Sequence, residues 1–513
     1  MTSTSSRILL SLACALSLSA LNCDSEGGGV QVEEVGDGVL VFTDEGSLTL
    51  ARPSNDTGRR NALIGYLRTE HDLFGPDEVE PDALSFLQAV TQEQVSNDAG
   101  ETYTLVALHQ TYMGVPVIDE FQMGAFLQTV DGDELRRVRA GVRDPSALPA
   151  PPDPSTRDQV IPVVARLIRE LGLSADLTQI SETPVISAKQ DISGFRVSQF
   201  RPSDRGGFDL FEAIVDPLDG RVVVLSDQPP CELTPLPIGT VVEEGLPISF
   251  EPPSFLGIRT VPIHAVKLSD LDGSSNVAPI TRPQVRRWVD FANTVWFPEA
   301  QVFFDFDESA GSADFESWRS TLFNTLPANE AEHFTYRTAA NVWALLFHHK
   351  KVVVFFRANS GYGFSWGPTS TFFVSMPSYT DTGVFKPDDG GWVPNDTLLS
   401  HELGHYFGLA HPFTGVACID ARQANSDGDG AGQDPGTTAD DVLDTNPDLT
   451  DACAPTNSLT CAGGSFPYND EVWNPPWANV MSYHDCLPED LTDDQVSVID
   501  LTLQHPVRAE LGQ

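Results

Sequence analysis

One short segment of the chain carries three histidines and a glutamate at a spacing that suits a metal-dependent hydrolase. These residues are His401, Glu402, His405 and, beyond Gly408, His411. Residues four apart share a face of a helix, so His401 and His405 can present two imidazoles to one ion. Gly408 permits the positive φ that ends a helix and turns the chain back, which brings His411 to the same ion. Three neutral imidazoles with an open fourth position are a donor set of catalytic Zn²⁺.

Glu402 follows the first histidine, so it lies beside the metal-binding face of the helix without being placed as a ligand. A carboxylate there can accept a proton from an attacking water and return it to a leaving amine. The predicted reaction is hydrolysis of peptide bonds within protein or peptide substrates. A motif with five fixed positions, which here are His401, Glu402, His405, Gly408 and His411, is far rarer by chance than two histidines four residues apart. A pair of ordinary core histidines is therefore a poor explanation of this segment.

The segment has the spacing of the metzincin signature, in which a methionine turn follows the zinc helix. Residues 479–483 read Asn-Val-Met-Ser-Tyr, and Met481 is the methionine that such a turn requires. It would form an apolar floor beneath the metal. Tyr483 resembles a tyrosine that touches the metal or the reacting carbonyl in several metzincins. The resemblance implies that Tyr483 stabilises the transition state.

Within the metzincins, the surroundings resemble the pappalysin family, which includes ulilysin. The resemblance covers about residues 255–510, and its specific motifs lie within 395–490. The features that carry it are the helix continuation 408–413, Cys418, the acidic stretch 440–445, the methionine turn and Cys486. It implies a catalytic domain of the α/β (α+β) class, with a twisted mixed sheet and an active-site helix.

Four cysteines lie close together near the C-terminus, namely Cys418, Cys453, Cys461 and Cys486. The family pattern implies two crossed disulfides, Cys418–Cys461 and Cys453–Cys486, whereas the sequence alone permits three pairings. Residues 412–480 contain little periodic apolar structure, so cross-links would remove much of the conformational entropy of their unfolded state.

The acidic loop suits calcium, because Asp427, Asp429 and Asp434 lie at short, glycine-separated spacing near the acidic stretch 440–445, and carboxylate oxygens so spaced are ligands that Ca²⁺ prefers. The family resemblance also implies calcium near Asp440 and Asp444. A solvated acidic loop is the alternative in so acidic a chain. Asp485 lies near the expected S1′ pocket, where an acid would favour a basic residue after the scissile bond; a carboxylate on the rim is equally compatible with its position.

Alternating strands and helices are predicted to position these residues. Apolar spacing predicts strands at 259–268, 302–306 and 352–356, helices at 281–296 and 336–347, and a further helix that begins near 395. Residues 370–376 are predicted to form an edge strand, to which an extended substrate could pair. His348 and His349, which follow a predicted helix, are expected at the surface.

The part of the chain before residue 251 has a different composition. Strands are predicted at 103–112, 121–130, 135–142, 194–200, 208–215 and 221–225, and a helix at 159–171. Residues 109–117 resemble the propeptide domain of fungalysin- and thermolysin-type proteases, and 211–223 resemble the last hairpin of a PepSY-like propeptide module. An exported β-rich domain unrelated to propeptides is the alternative. The predicted organisation is a signal at 1–23, a flexible tether at 24–50, a β-rich module at 51–147, a PepSY-like module at 156–230, a linker at 231–250 and the catalytic domain at 251–513.

This arrangement implies a zymogen whose own propeptide is its inhibitor. Cys231 lies at the joint between the two parts, and a thiolate is a good fourth ligand for zinc. A block of the cysteine-switch type is one hypothesis for latency. A free thiol, or a dimer linked through Cys231, are the alternatives.

The first residues are typical of a secretory signal, with Arg7 before an apolar segment. The signal ends at Cys23 and an acidic, glycine-rich stretch, which resembles a bacterial lipoprotein signal. It implies a lipidated Cys23 and a membrane tether, and plain secretion remains the alternative. In either case the protein is exported to a compartment that permits disulfides.

Composition excludes some partners. The 513 residues include 73 acidic and 30 basic side chains, for a formal net charge of −43, so nucleic acid and anionic membrane surfaces would repel the chain. The competing functional class is a non-catalytic, calcium-dependent surface binding lipoprotein on a metalloprotease fold, and the intact Glu402 argues against it. A zinc enzyme acting on another kind of bond is the second alternative.

Overall fold

The computed structural model describes two connected parts, the N-terminal module (within 30–228) and the C-terminal domain (within 258–511). The described residues are 30–74, 85–86, 91–170, 181–228, 258–409, 466–468, 471–473, 478–482, 490–504, 508 and 511, without the short gaps at 36–37, 45, 188–190, 203–207, 219–221, 328–329, 359–362, 366–371, 379–382, 387–390 and 395–396.

The N-terminal module is mainly antiparallel sheet. Its strands are β1 (Gln31–Val35), β2 (Gly38–Phe42), β3 (Ser85–Phe86), β4 (Thr91–Asn97), β5 (Thr102–Tyr112), β6 (Val115–Leu127), β7 (Glu134–Ala140), β8 (Ser181–Ser187), β9 (Ile192–Pro202), β10 (Phe208–Val215) and β11 (Val222–Gln228). Its helices are α1 (Asp56–Thr69), α2 (His71–Phe74) and α3 (Val160–Glu170), with 3₁₀ turns at Pro145–Ala147 and Pro154–Gln159.

The C-terminal domain alternates strands with helices. Its strands are β12 (Arg259–Ser269), β13 (Val302–Asp305), β14 (Phe315–Arg319), β15 (Val352–Arg357), β16 (Phe373–Pro377), β17 (Gly383–Lys386), β18 (Gly391–Pro394), β19 (Phe466–Tyr468) and β20 (Glu471–Trp473). Its helices are α4 (Arg282–Ala300), α5 (Glu330–Phe347), α6 (Thr397–Tyr406) and α7 (Asp493–Gln504).

The centre of the C-terminal domain is a parallel sheet built on β12 and β15. β12 pairs in parallel with β13, β14 and β15, and β15 pairs in parallel with β16. All six residues of β15 are buried, as expected for a parallel strand covered on both faces. Alternate residues of β15 belong to two different apolar clusters, one shared with α4 and the other with α5. The two helices therefore pack on opposite faces of this sheet.

The helix that carries the predicted metal ligands, α6, packs on the α4 side of the sheet. The side chains of Leu399 and Leu403 are buried in the same apolar cluster as Trp288 and Val289 of α4. The indole Nε1 of Trp296 donates a hydrogen bond of 3.0 Å to Ser400 Oγ. The position of α6 is therefore fixed by the core that α4 and the sheet share.

The two parts of the chain form one continuous mixed sheet. β4 pairs antiparallel with β14 at Trp318↔Asn97 and Arg319↔Ser96. α5 packs against β4 and β5 of the module as well as β16, and its residue Trp343 belongs to an apolar cluster that includes Leu105 of the module. The N-terminal module and the C-terminal domain consequently share a hydrophobic core.

Most predicted elements are confirmed, with three corrections. The segment predicted as a flexible tether contains β1 and β2, and Leu40 is buried because β2 pairs with β7. The strand predicted at 121–130 begins earlier than expected, since Gly114 turns the chain and Pro116 already lies within β6 opposite Thr111. β14 was not predicted, because its burial depends on contacts with the distant β4 and β12.

Within the described part of the chain, no helix combines the length and the apolar character needed to cross a membrane.

Candidate active site

Helix α6 brings together three of the predicted functional residues. The imidazole rings of His401 and His405 are 4.9 Å apart between centroids and nearly perpendicular, at 87°. Glu402 and His405 are fully buried, and only 6% of the surface of His401 is exposed. Two imidazoles and a carboxylate thus lie together in a site that water reaches poorly.

Each imidazole is oriented by a hydrogen bond to a backbone carbonyl. His401 Nδ1 lies 2.8 Å from the carbonyl oxygen of Val480, and His405 Nδ1 lies 2.8 Å from that of Leu409. A carbonyl only accepts, so each Nδ1 carries the proton and donates it. The neutral ring then has its lone pair at Nε2, which is the form that binds a metal ion.

Burial keeps these histidines neutral. It lowers the pKa of His401, although Glu402 and the Val480 carbonyl act to raise it. It lowers the pKa of His405 well below the usual value, and the neighbouring His401 adds to that effect. Neutral imidazole is the ligand form, so the site does not need to lose a proton before it takes a cation.

The end of α6 has the turn that Gly408 predicts. Gly408 has φ of 93°, its N–H donates to the carbonyl of His405, and the N–H of Leu409 donates to the carbonyl of Gly404. These two bonds make a Schellman motif, in which glycine takes the left-handed position after the helix. The same turn places the carbonyl of Leu409 against His405 Nδ1.

Met481, the predicted methionine of the turn, packs against α6 at Gly404. Its side chain is fully buried and packs against Gly404 so closely that a Cβ at position 404 would overlap Met481 Sδ. The turn is held by Asn479, whose Oδ1 accepts from Met481 N–H at 3.0 Å. Asn479 and Gln495 of α7 exchange two side-chain hydrogen bonds, of 2.8 and 3.1 Å.

Gly404→Ala is expected to destabilise the protein by about 1–3 kcal/mol, because the new methyl group has to displace the methionine floor. Gly65→Ala is the matched control: Gly65 also lies in a helix, but a Cβ there meets nothing within 4 Å. Alanine should instead stabilise that helix by up to about 1 kcal/mol. Urea denaturation of both variants measures the difference, and equal stability would show that Gly404 is not a close-packing position.

A short segment lies against the carboxylate of Glu402. A Cβ at Gly363 would come within 2.5 Å of Glu402 Oε1, so only glycine fits there without displacing that side chain. The next residue, Phe364, forms an antiparallel bridge with Ser375 of β16 in which both hydrogen bonds are 2.8 Å. The predicted open edge at 370–376 is therefore occupied at Ser375 by residue 364.

Several residues of the site were not predicted from the sequence. Tyr406 is not a proposed metal ligand, but it is fully buried next to His405. Arg508 Nη1 donates a hydrogen bond of 2.8 Å to its hydroxyl. The guanidinium of Arg508 lies 3.8 Å from the centroid of the Tyr406 ring, a cation–π contact. Gly363, Gln495 and Arg508 lie far from the zinc motif in sequence, and no local pattern marks them.

Other predicted site residues lie outside the described residues. They are His411, Tyr483, Asp440, Asp444, Asp485, Cys23, Cys231, Cys418, Cys453, Cys461 and Cys486. The third metal ligand, the disulfides, the calcium site and the cysteine switch therefore stay predictions. The expectation that His348 and His349 lie on the surface is wrong, because their side chains are only 19% and 11% exposed.

The fold and the site together define the class of protein. A mixed sheet backs a helix that ends in a glycine turn, and a methionine turn lies beneath two buried histidines and a glutamate. Residues 356–504 match the model of peptidase family M43, described as pregnancy-associated plasma protein-A. This match supports a pappalysin-family metzincin domain at residues 356–504, and M43 metallopeptidases are zinc-dependent. A comparison with curated proteins gives no significant match to this chain.

Proposed function

We propose that the protein is a zinc-dependent endopeptidase in which His401, His405 and His411 hold the metal and Glu402 is the general base. The observation that carries the proposal is the orientation of the two buried imidazoles by the carbonyls of Val480 and Leu409. In that orientation the Nε2 lone pair of each ring can bind a metal ion. Both rings lie on the same helix as the buried carboxylate of Glu402.

The donor set suits zinc. Neutral imidazole nitrogen is a standard zinc ligand, and catalytic sites hold the ion with three protein ligands and leave one position open. The buried pair His401 and His405 supplies two such ligands, and His411 is proposed as the third because it follows the turn at Gly408. Zinc, when bound, polarises the attacking water and the scissile carbonyl.

The protein residues move the proton and orient the reactants. Glu402 accepts a proton from the attacking water and delivers it to the leaving amine. Glu402 lies on α6 and its side chain packs against Gly363, which limits the positions that the carboxylate can take. Tyr483 is proposed to donate a hydrogen bond to the oxyanion that forms on the substrate carbonyl.

We place the substrate along residues 363–365. In antiparallel pairing, alternate residues point their N–H and C=O groups to opposite sides, and those of Phe364 point to Ser375. The backbone groups of Gly363 and Ser365 then point away from β16, and we propose that the substrate strand pairs with them. Gly363 also adjoins Glu402, so a peptide paired there would pass beside the proposed general base.

Cleavage of casein by the mature protein tests the proposed activity. We expect cleavage that a chelator abolishes and that added Zn²⁺ restores, and sequencing of the products will report the residue preferred after the scissile bond. A preference for Lys or Arg there would support Asp485 as part of the S1′ pocket. Absence of cleavage by metal-loaded, processed protein would remove the endopeptidase assignment.

The N-terminal module is proposed to be a removable inhibitory propeptide that contacts the C-terminal domain until the linker is cut and the module is released. Its association with the C-terminal domain includes Arg137, which donates to the carbonyl of Leu346 at 3.1 Å and lies over the ring of Phe347. His349 and Lys350 each contact Glu33 of β1 at 3.1 Å. Release of the module would expose the apolar core that both parts share, which costs free energy in proportion to the area exposed.

Cys231 is proposed to block the zinc in the precursor. Cys231→Ala should then give a precursor that cleaves a short peptide, or degrades itself, before the linker is cut. The wild-type precursor under the same conditions is the control. An alanine variant that stays as latent as the wild type would remove the switch and leave the bound module as the source of latency.

The remaining sequence predictions complete the proposal. The protein is exported, either lipidated at Cys23 or freely secreted, with disulfides Cys418–Cys461 and Cys453–Cys486. A calcium ion is proposed near Asp440 and Asp444. Metal analysis and mass spectrometry of the exported form test these features together.

A further inference from the structure

A second group of potential metal ligands lies in the C-terminal domain, away from α6. His264 of β12, Glu316 of β14 and His348, which follows α5, bring their side chains together, and their ligand atoms all lie within 4.8 Å of one another. His264 Nε2 and His348 Nε2 lie 2.8 and 2.9 Å from the same oxygen, Oε1 of Glu316. The two imidazole rings are stacked, with centroids 3.5 Å apart.

This group lies on the opposite face of the sheet from the proposed active site. Val266 of β12 and Phe355 of β15 face the α5 cluster, and His264, two residues before Val266 on the same strand, points to the same side. Its ring lies near Trp343 of α5, at 6.2 Å between centroids. Leu403 and Met481 belong to the cluster on the other face.

We propose that His264, Glu316 and His348 form an accessory site for Zn²⁺. Two imidazoles and a carboxylate are a common zinc donor set. In a tetrahedral site with zinc–ligand bonds of 2.0–2.1 Å, adjacent ligand atoms lie about 3.3 Å apart. The two nitrogen–oxygen distances are therefore about half an ångström short of a zinc-bound geometry.

The surroundings allow that small adjustment. The side chain of Glu316 is 31% exposed and that of His348 is 19% exposed, so solvent can supply an ion and a fourth ligand on that side, while His264 is almost fully buried. His348 follows the last turn of α5 and its N–H donates to the carbonyl of Ala344. The carboxyl end of a helix carries partial negative charge, which favours a cation there.

Without a metal, both Nε2 atoms donate to Oε1 of Glu316, so zinc binding would require the proton of each ring to move from Nε2 to Nδ1. The nearby Lys351 is paired with Asp314 at 2.6 Å, which offsets its repulsion of a cation.

A bound ion would join the elements on which the N-terminal module docks. β14 pairs with β4 of the module, and α5 packs against β4 and β5. An ion held by β12, β14 and the end of α5 would fix these elements relative to one another. Because a ligand that binds only the folded state stabilises it, zinc should raise the unfolding temperature of this region.

Zinc content of His348→Gln tests the proposal, with His349→Gln as the matched control. Both histidines lie at the end of α5, but His349 contacts Glu33 and does not belong to the group of three. The full-length proteins are stripped with a chelator, dialysed against Zn²⁺ and measured by mass spectrometry for zinc per chain. We expect His348→Gln to hold about one zinc fewer than the wild type and His349→Gln to hold the same number.

A second measurement separates ligand loss from misfolding. All variants are compared by circular dichroism and thermal unfolding in chelator, where Glu316→Gln and His348→Gln should remain folded but lose the zinc-dependent rise in unfolding temperature seen for the wild type. Equal zinc content in His348→Gln and His349→Gln, both folded, would show that the group is only a hydrogen-bonded triad. The difference between the variants does not depend on the catalytic zinc, so the test stands even if the proposed peptidase activity fails.

Discussion

Glu402→Gln is expected to lower the rate of peptide hydrolysis about a thousandfold, within the range that a general acid–base residue contributes. Glutamine has the shape of glutamate and fits the fully buried position between α6 and Gly363. It cannot accept a proton from water. The variant should therefore bind substrate with a KM near that of the wild type while kcat falls, because the lost step belongs to the reaction and not to binding.

Zinc content and folding are the controls for this variant. Glu402 is not proposed as a ligand, so Glu402→Gln should bind as much zinc as the wild type and give the same circular dichroism spectrum. A variant that retains its zinc and more than a tenth of the wild-type kcat would show that another group serves as the base.

His405→Gln is expected to lose the catalytic zinc and to hydrolyse substrate no faster than chelator-treated wild type. His405 is fully buried, its Nδ1 donates to the carbonyl of Leu409, and its Nε2 is a proposed ligand. Removal of one of three protein ligands leaves too few to hold the ion against exchange with water. Zinc per chain and the rate of peptide hydrolysis are measured on the same preparation.

His109→Gln is the matched control for His405→Gln. His109 is also a buried histidine, but it lies in β5 of the N-terminal module, where its ring packs against Phe121 at 4.5 Å. Its replacement should leave zinc content unchanged. Equal zinc in the two variants, with both folded, would remove His405 from the ligand set.

The sequence predicted the parts of the site that lie close together along the chain. His401, Glu402 and His405 share one helix, and Gly408 marks its end, so helix periodicity and turn chemistry were enough to place them. Met481 was predicted from the motif around it. Its packing against Gly404 could not be predicted in the same way, because it depends on how the methionine turn docks on α6.

Residues that act through distant contacts could not be predicted. Asn479 and Gln495 support the methionine turn by two side-chain hydrogen bonds, but each alone is an ordinary polar residue in the sequence. Gly363 is required by the approach of Glu402, which comes from another element. The three residues of the proposed accessory zinc site come from two strands and a helix end, so their spacing in sequence carries no signal.

The strands also divide into those that local sequence predicts and those whose burial depends on distant contacts. β15 was predicted because it is a continuous apolar strand buried on both faces, which its own sequence specifies. The burial of β14 depends on its contacts with α5 and β4, which are distant in sequence. The burial of β2 likewise depends on its pairing with β7. The shared core between the N-terminal module and the C-terminal domain depends on such pairings, and composition alone indicated two separate parts.

X-ray diffraction from crystals of the zinc-loaded protein, measured at the zinc absorption edge, tests the central claim most directly. The account predicts an anomalous peak about 2.0–2.1 Å from Nε2 of both His401 and His405, with His411 completing the protein ligands and Glu402 beside the open position. An ordered α6 with no peak there, or with a peak bound to other side chains, would contradict the assignment of this helix as the catalytic zinc site.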